Sequence, residues 1–273
     1  MSFPSFRVPI TCNLFVLNFL CCESQQWFCE SGESKTEFVT VNHTILLIDE
    51  QKVYQFRRSM CPEAFKDQWR EKKDTYIETG RWRVATGHNA IPLLMIPKVL
   101  LSGGKPGLRT VFDKQEQNAN TYKLASPLPD IEEILREVSR HKFRSLIDRK
   151  DAYEQIRVIP EHIPRTLFTT PDGTMESLVM QQGDCNAGAT YQTLMNYIFS
   201  PYIGVFMYVY LDDVIIFSDS IEDHLRHVKT VFDILQKEKL FLSPNKMQFF
   251  AEELKILVRT LNRSIRIPSS SIT

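Results

Sequence analysis

The chain has 273 residues, which is enough for one large domain or two small ones. It is 43% hydrophobic and 24% charged, as is typical of a soluble globular protein, and its net charge of zero gives no bulk reason to expect nucleic-acid binding. The six cysteines lack zinc-site spacing and the chain is too large to need a disulfide scaffold, so we predict reduced thiols in an intracellular protein, cytoplasmic or nuclear.

Residues 1–40 match no recognisable pattern and stay unassigned. Within them, the mostly apolar stretch 8–22 contains Pro9, Asn13 and Asn18, and it is too short for a membrane span. A signal peptide is one interpretation of this stretch. The simpler one is a buried or disordered extension, and we expect no membrane association.

Turn and capping residues divide the following part of the chain. Pro62 is placed to begin a helix, which Gly80 can end. Residues 91–97 form a short predicted strand, and residues 102–107 form a turn-rich loop. Residues 51–110 are locally basic. One interpretation is a basic surface that contacts nucleic-acid phosphates, and the other is a solvated helix face.

Three further helices are predicted. Asp130 can cap the first, with Glu133 completing a capping box. The second carries apolar residues in steps of three and four over 191–199, and the third begins at Ser220 with Asp223 three residues on. We interpret these apolar stripes as core packing, and the mixture of helices and strands predicts an α+β fold.

Two adjacent aspartates, Asp212 and Asp213, lie between apolar runs at 206–211 and 214–217. The runs are short, β-branched and aromatic, which predicts a strand, a tight turn and a strand with both carboxylates at the tip. Like charges held together beside an apolar sheet either take up a proton or bind a cation, for which a hard divalent metal is the natural choice. An ordinary hairpin turn is the alternative, because aspartate is common there.

Asp148 offers a third carboxylate, since it ends the strand-like stretch 143–148. If this strand is a neighbour of the hairpin in one sheet, the three acids can converge on a metal pair. Two metals about 3.5–4 Å apart clamp the attacking and leaving oxygens of an in-line phosphoryl displacement. An unrelated aspartate-based phosphohydrolase would place these acids apart.

These motifs, taken together and in order, resemble reverse transcriptases, and in particular those of gypsy-type long-terminal-repeat retrotransposons. The similarity covers about residues 41–268 and includes a Y-x-D-D box at 210–213. The matching stretches are, in chain order, residues 108–113, 118–121, 143–155, 180–192 and 210–213.

The resemblance implies a right-hand polymerase fold with fingers and a palm, in which helices cover one face of an antiparallel palm sheet. Fingers are expected at about 42–125 with a return segment near 155–175, and palm in the rest of a domain that spans 41–262. Residues 263–273 would be a tail that begins the thumb. We therefore expect a truncated thumb, a weak grip on the duplex and poor processivity.

The implied activity is RNA-directed DNA polymerase, which joins a deoxynucleoside triphosphate (dNTP) to a primer 3′-hydroxyl on an RNA or DNA template. Two Mg²⁺ ions, or Mn²⁺ in their place, are the implied cofactors. Asp148 and Asp212 are expected to bridge both ions, and Asp213 to assist or tune the site.

The resemblance also implies a set of substrate-binding residues. Arg109 and Lys105 are expected to contact the triphosphate, and Lys246 to lie near it. The ring of Tyr153 is expected to lie under the sugar and to exclude a 2′-hydroxyl. Gln182 and Gly183 are expected to border the nucleotide. The structural alternatives are a palm core tyrosine, a helix-initiating turn and a solvated loop lysine.

Five positions depart from the family pattern. They are Arg149, Gln115, Gly188, Val258 and Arg259. These departures support a second hypothesis, a truncated and catalytically inactive remnant that keeps the fold and at most binds nucleic acid.

Overall fold

The computed structural model describes residues 41–54, 57–98, 106–126, 128–148, 151–242, 247–251, 254–256 and 259–261. The chain divides into two compact units. We call the described residues within Cys29–Pro127 and Asp151–Leu194 the five-stranded unit. Those within Leu128–Lys150 and Met195–Thr273 form the three-stranded unit.

The secondary structure alternates between helices and strands. The α-helices are α1 (Lys66–Glu78), α2 (Gln115–Ala119), α3 (Ile131–Arg140), α4 (Ala187–Phe199) and α5 (Ile221–Lys237). The strands are β1 (Trp82–Val84), β2 (Ile91–Lys98), β3 (Gly107–Phe112), β4 (Phe143–Asp148), β5 (Phe168–Thr170), β6 (Gly173–Ser177), β7 (Met207–Tyr210), β8 (Asp213–Ser218), β9 (Leu254–Ile256) and β10 (Arg259–Leu261). Short 3₁₀ helices cover Glu63–Phe65, Ala152–Gln155 and Pro160–Thr166. In the described part of the chain, no helix has the length and apolar character needed to cross a membrane.

The five-stranded unit contains a mixed sheet with the strand order β1-β6-β5-β2-β3. Strand β2 runs parallel to β5 and antiparallel to β3, which is an edge strand. Helix α1 follows Pro62 and is succeeded by Gly80, whose φ of +67° is left-handed, as the sequence predicts for the two ends of this helix.

An aromatic core holds the five-stranded unit together. The Phe168 side chain is fully buried, and its ring centroid lies 5.0 Å from those of both Trp82 and Phe112 in edge-on geometry. The remaining buried members of this core are Tyr54, Trp69, Ile91, Leu93, Met95 and Met175. Helix α1 contributes Trp69 to this core.

The three-stranded unit is built on an antiparallel sheet in the order β4-β8-β7. The predicted caps of its two flanking helices are present. The Asp130 carboxylate accepts a hydrogen bond from the Glu132 amide at 2.9 Å, one residue earlier than a capping box with Glu133 requires. The Ser220 hydroxyl accepts one from the Asp223 amide at 3.1 Å.

Helices contact both faces of this sheet. Ile134 and Val138 of α3 pack in a cluster with alternate residues of β4 and β8, namely Leu146, Ile215 and Phe217. His224 of α5 bonds residues of the opposite alternation, Ser145 and Ser218. The predicted α+β class is confirmed, but the expected helix cover on one face extends to two, because α3 carries an apolar stripe of its own that must also be buried.

We expect Phe168→Ala to reduce the free energy of unfolding by about 3–5 kcal/mol, because it removes the centre of the aromatic core and leaves a cavity. Val84→Ala on β1 is the control, since Val84 is 73% exposed and its truncation should change stability by less than about 0.5 kcal/mol. Urea unfolding followed by far-UV circular dichroism measures both. Equal effects of the two changes would contradict the assignment of the core.

Candidate active site

The Asp212–Asp213 pair lies at a tight hairpin in the three-stranded unit. Tyr210 of β7 pairs with Asp213 of β8, so that Leu211 and Asp212 alone form the turn. The φ of Leu211 is +51°, which a two-residue hairpin turn requires and a leucine adopts at a cost of about 1–2 kcal/mol. The predicted strand, turn and strand are confirmed, and Asp212 is exposed at the tip.

Asp148 lies directly across from this hairpin. In the antiparallel pairing of β4 with β8, Asp148 is opposite Asp213 and Ile147 is opposite Val214. Directly opposed residues point to the same face of a sheet with Cβ atoms about 4.5–5.5 Å apart. Asp148 and Asp213 are both half-buried, so two carboxylates are held side by side at the end of neighbouring strands, with Asp212 next in the chain.

The donor set suits a hard divalent cation. All three groups are carboxylates, which Mg²⁺ and Mn²⁺ prefer, and they lie where a sheet ends rather than within its apolar core. Across the described residues, however, no three His, Cys, Asp or Glu side chains already gather closely enough to hold a metal ion. The strand register therefore brings Asp148 and Asp213 together, and Asp212 lies next to them at the exposed turn.

Two histidines of α5 form a buried hydrogen-bond chain behind the acid-bearing strands. His224 Nε2 lies 2.7 Å from Ser145 Oγ on β4, and His224 Nδ1 lies 2.9 Å from Ser218 Oγ on β8. Ser218 Oγ is also 2.8 Å from His227 Nδ1, and Ser145 Oγ accepts the Phe250 amide at 3.2 Å. A single fully buried imidazole thus ties together the two strands that carry Asp148 and Asp213.

A neutral His224 satisfies the hydrogen-bond chain. Every proton in it is used if Ser145 donates to His224 Nε2, His224 Nδ1–H donates to Ser218, and Ser218 donates to His227. Burial lowers the pKa of His224 to about 4, and the neighbouring His227 acts in the same direction. Protonation would place a charge in the core, so burial favours the uncharged ring.

Three of the predicted nucleotide-binding residues lie in the five-stranded unit near the edge strand β3. Arg109 is exposed on β3, opposite Ile96 of β2. Gln182 and Gly183 are also exposed, in a turn where Gly183 has a φ of +101°. A Cβ at Gly183 would lie 3.6 Å from the Phe112 carbonyl oxygen, so this turn lies against the end of β3. The glycine is needed for its backbone conformation rather than for space.

Tyr153 lies in the 3₁₀ helix Ala152–Gln155 of the same unit. Its ring centroid is 5.5 Å from that of Tyr191, and the side chain is half-buried. The neighbouring Glu154 carboxylate accepts hydrogen bonds from the Tyr76 hydroxyl at 2.8 Å and from Arg81 at 3.0 Å. Burial raises the pKa of Glu154, and Asp151 acts in the same direction.

The other residues named in the sequence analysis are either outside the described residues or at the start of a helix or strand. Lys105, Lys246, Arg149 and Val258 lie outside the described residues. Gln115 begins α2, Gly188 lies in the first turn of α4, and Arg259 begins β10.

Sequence reasoning missed two buried groups beside the Gly183 turn. Lys114 and Asp184 have side chains that are each 1% exposed, and their Nζ and Oδ2 atoms are 3.1 Å apart. Asp184 follows Gly183 within the matching stretch 180–192, but a charged residue in a loop is normally read as solvated. Only the position of Lys114, 70 residues earlier, shows that the pair is internal.

Similarity to known proteins defines the class to which this chain belongs. Residues 96–261 match the family described as reverse transcriptase (RNA-dependent DNA polymerase), and the chain belongs to this family. It is 29% identical over 228 residues to the retrovirus-related Pol polyprotein from transposon 297 of Drosophila melanogaster. The matched region is 84% of this chain and 21% of that protein. The transposon gypsy polyprotein of the same species is 34% identical over 154 residues, which is 56% of this chain and 15% of that protein.

These relatives confirm the resemblance to gypsy-type retrotransposon polymerases, and the chain spans about a fifth or less of their length. Among solved structures, the foamy viral protease-reverse transcriptase in complex with RNA/DNA hybrid superimposes with a TM-score of 0.74 at 18% identity, over 93% of this chain and 33% of that one. The foamy viral protease-reverse transcriptase dRH in complex with double-stranded DNA gives a TM-score of 0.76 at 17% identity, over 94% of this chain and 44% of that one. At this identity the likeness concerns the fold, and it confirms the predicted fingers-and-palm type.

We expect His224 to make the stability of the protein fall in mild acid. An unfolded histidine titrates near 6.5, so the contribution of His224 is fully present above pH 6.5 and is lost as the pH falls toward its folded pKa of about 4. The full loss is roughly 3 kcal/mol, from about 1.4 kcal/mol for each pH unit.

Urea unfolding at several pH values checks this, with His224→Gln as the variant that cannot titrate. The variant should show a flatter profile between pH 6.5 and 4 than the native chain. His88→Gln, which removes an exposed histidine, should leave the native profile unchanged. Parallel profiles for the native chain and His224→Gln would show that this imidazole is not held neutral by the fold.

Proposed function

We propose that this chain is an RNA-directed DNA polymerase domain of a retroelement. The observation that carries the proposal is the cross-strand pairing of Asp148 with Asp213 beside the exposed Asp212. The proposed domain spans residues 41–262. Its proposed partners are an RNA or DNA template with its primer and an incoming dNTP.

In this proposal Asp148 and Asp212 hold two Mg²⁺ ions, and Asp213 assists from its position opposite Asp148. When bound, the ions supply a more acidic primer 3′-hydroxyl and charge neutralisation on the pyrophosphate leaving group. The carboxylates would hold these ions at the ends of two paired strands. Asp212 is exposed at a turn, so it can rotate toward the other two acids without breaking the sheet.

The five-stranded unit supplies the proposed nucleotide contacts. Arg109 offers a guanidinium fork to phosphate oxygens from an exposed position on an edge strand. Gln182 and the exposed backbone of Gly183 border the base and sugar. Tyr153 limits the space under the sugar, which would select deoxynucleotides. Lys105 and Lys246 are proposed as further triphosphate contacts.

A second candidate is an inactive member of the family that keeps the fold and binds nucleic acid. Two observations favour it. No three carboxylates gather in the described residues, and Gln115 occupies a position where the family pattern has an arginine. The two candidates differ in catalysis and agree in fold, so an activity measurement separates them.

We expect primer extension on an RNA template to require Mg²⁺ and to fall by more than about 100-fold in Asp148→Asn and in Asp212→Asn, because each change removes a charged metal ligand. Asp219→Asn is the matched control, since Asp219 is an exposed acid that follows the other end of β8. Extension by the native chain and by the control, with loss in the two variants, supports the polymerase. Duplex binding without extension by any of them supports the inactive member.

We also expect Arg109→Gln to raise the KM for dNTP by about 10-fold with little change in kcat, because it removes a charge-assisted contact to the triphosphate. Arg58→Gln removes the same charge from another exposed position of the five-stranded unit and should leave KM unchanged. Steady-state extension at varied dNTP concentration measures both. Equal KM values for the two variants would remove Arg109 from the proposed site.

A further inference from the structure

A buried ion pair in the five-stranded unit joins the end of β3 to the turn that carries Gln182 and Gly183. Lys114 Nζ lies 3.1 Å from Asp184 Oδ2, and it also donates to Gln117 Oε1 at 3.0 Å. Both charged side chains are almost completely removed from solvent. Each ion in such an environment carries a desolvation penalty of several kcal/mol, so the partners must be well placed for the pair to persist.

The second oxygen of Asp184 is also engaged. Asp184 Oδ1 accepts a hydrogen bond from the Asn186 amide at 2.9 Å, and His43 Nε2 lies 3.4 Å from it. Burial alone would raise the pKa of the Asp184 carboxyl, but the Lys114 ammonium and the His43 contact hold that pKa well below its usual range. The carboxylate is therefore charged and fixed from several directions.

Two asparagines lock the same segments together on either side of the ion pair. Asn118 donates to the Gly183 carbonyl at 2.9 Å and accepts the Cys185 amide at 3.0 Å. Asn186 donates to the Tyr122 carbonyl at 2.8 Å and accepts the Leu124 amide at 2.9 Å. Residues 114–124 and residues 181–186 thus form one fixed body, which we call the β3 clamp.

The β3 clamp connects two of the proposed nucleotide contacts. Arg109 lies on β3, and the strand ends at Phe112, two residues before Lys114. Within the clamp, Gly183 directly precedes Asp184 and lies against the Phe112 carbonyl. The ion pair therefore joins the turn proposed to border the base and sugar to the segment that directly follows the strand carrying Arg109.

We propose that Lys114 and Asp184 are positioning residues, whose ion pair sets the affinity for the incoming dNTP by holding the Gln182–Gly183 turn in register with Arg109. The inference rests on the proposed polymerase function. Its physical basis is that a buried ion pair adds little net stability over an apolar pair of similar size. Its strict distance and direction do fix the relative position of two backbone segments.

The test compares three variants that separate position from stability. Lys114→Met and Asp184→Asn each leave one buried partner uncompensated, and both are expected to lower Tm. The double variant Lys114→Met/Asp184→Asn removes both charges and keeps an Oδ1 atom that can still accept the Asn186 amide, so its Tm should return close to that of the native chain. Lys73→Met/Asp172→Asn breaks a different ion pair of this unit, at 2.9 Å, and serves as the control.

The decisive readout is the split between KM and kcat in primer extension. We expect the double variant to keep a KM for dNTP about 10-fold above the native value, with kcat within about twofold, despite its recovered Tm. The control should retain the native KM. Amide hydrogen exchange over residues 181–186 should be faster in the double variant than in the native chain. A native KM in the double variant would overturn the proposal and leave the pair with a role in stability alone.

Failure of the polymerase assignment has a separate outcome. The dNTP affinity is also measured without turnover, with a dideoxy-terminated primer on its template. If the native chain binds dNTP there but does not extend a normal primer, the polymerase assignment fails. The clamp is then judged by the ratio of the dissociation constants for the double variant and the native chain, with the same 10-fold expectation. If the native chain does not bind dNTP at all, both proposals are wrong.

Discussion

Register between β4 and β8 is the constraint on which the candidate site depends. The side chains of a strand alternate between two faces, so a slip by one residue would send Asp148 to the face opposite Asp213. Contacts on both faces of the sheet oppose such a slip. Leu146 packs under α3 in the cluster with Ile215 and Phe217, whereas Ser145 is bonded to His224 of α5. Two carboxylates that repel each other are therefore held opposite by contacts made elsewhere along the same strands.

Polar groups buried behind the candidate residues recur in both units. The three-stranded unit has His224 between Ser145 and Ser218, and the five-stranded unit has Asp184 between Lys114 and the Asn186 amide. Such networks add little to the free energy of unfolding when compared with apolar packing. They do restrict the relative positions of the segments that they join. Both lie directly behind segments that carry proposed active-site residues, which is where a fixed geometry has a functional use.

The sequence predicted those features whose cause is local. The caps at Asp130 and Ser220, the hairpin at Asp212 and the helix end at Gly80 each follow from a few neighbouring residues, and each is present. The internal position of Lys114 and Asp184 could not be predicted in this way, since each becomes an acceptable core residue only beside a partner 70 positions away. The second helix-covered face of the palm sheet was missed for a related reason. Periodicity shows that α3 has an apolar stripe, but not which surface buries it.

Because the backbone of Leu211 is left-handed, the amino acids most similar to leucine are not the best substitutes at the tip of the hairpin. Valine and isoleucine resemble leucine most in hydropathy, yet branching at Cβ makes them the poorest residues for this conformation. Glycine and asparagine differ from leucine in size or polarity, yet they accept the conformation more readily. Evolutionary drift at this position should therefore follow backbone freedom rather than side-chain likeness, and a family member with a small or polar residue between its tyrosine and its aspartates need not have lost the shape of the turn.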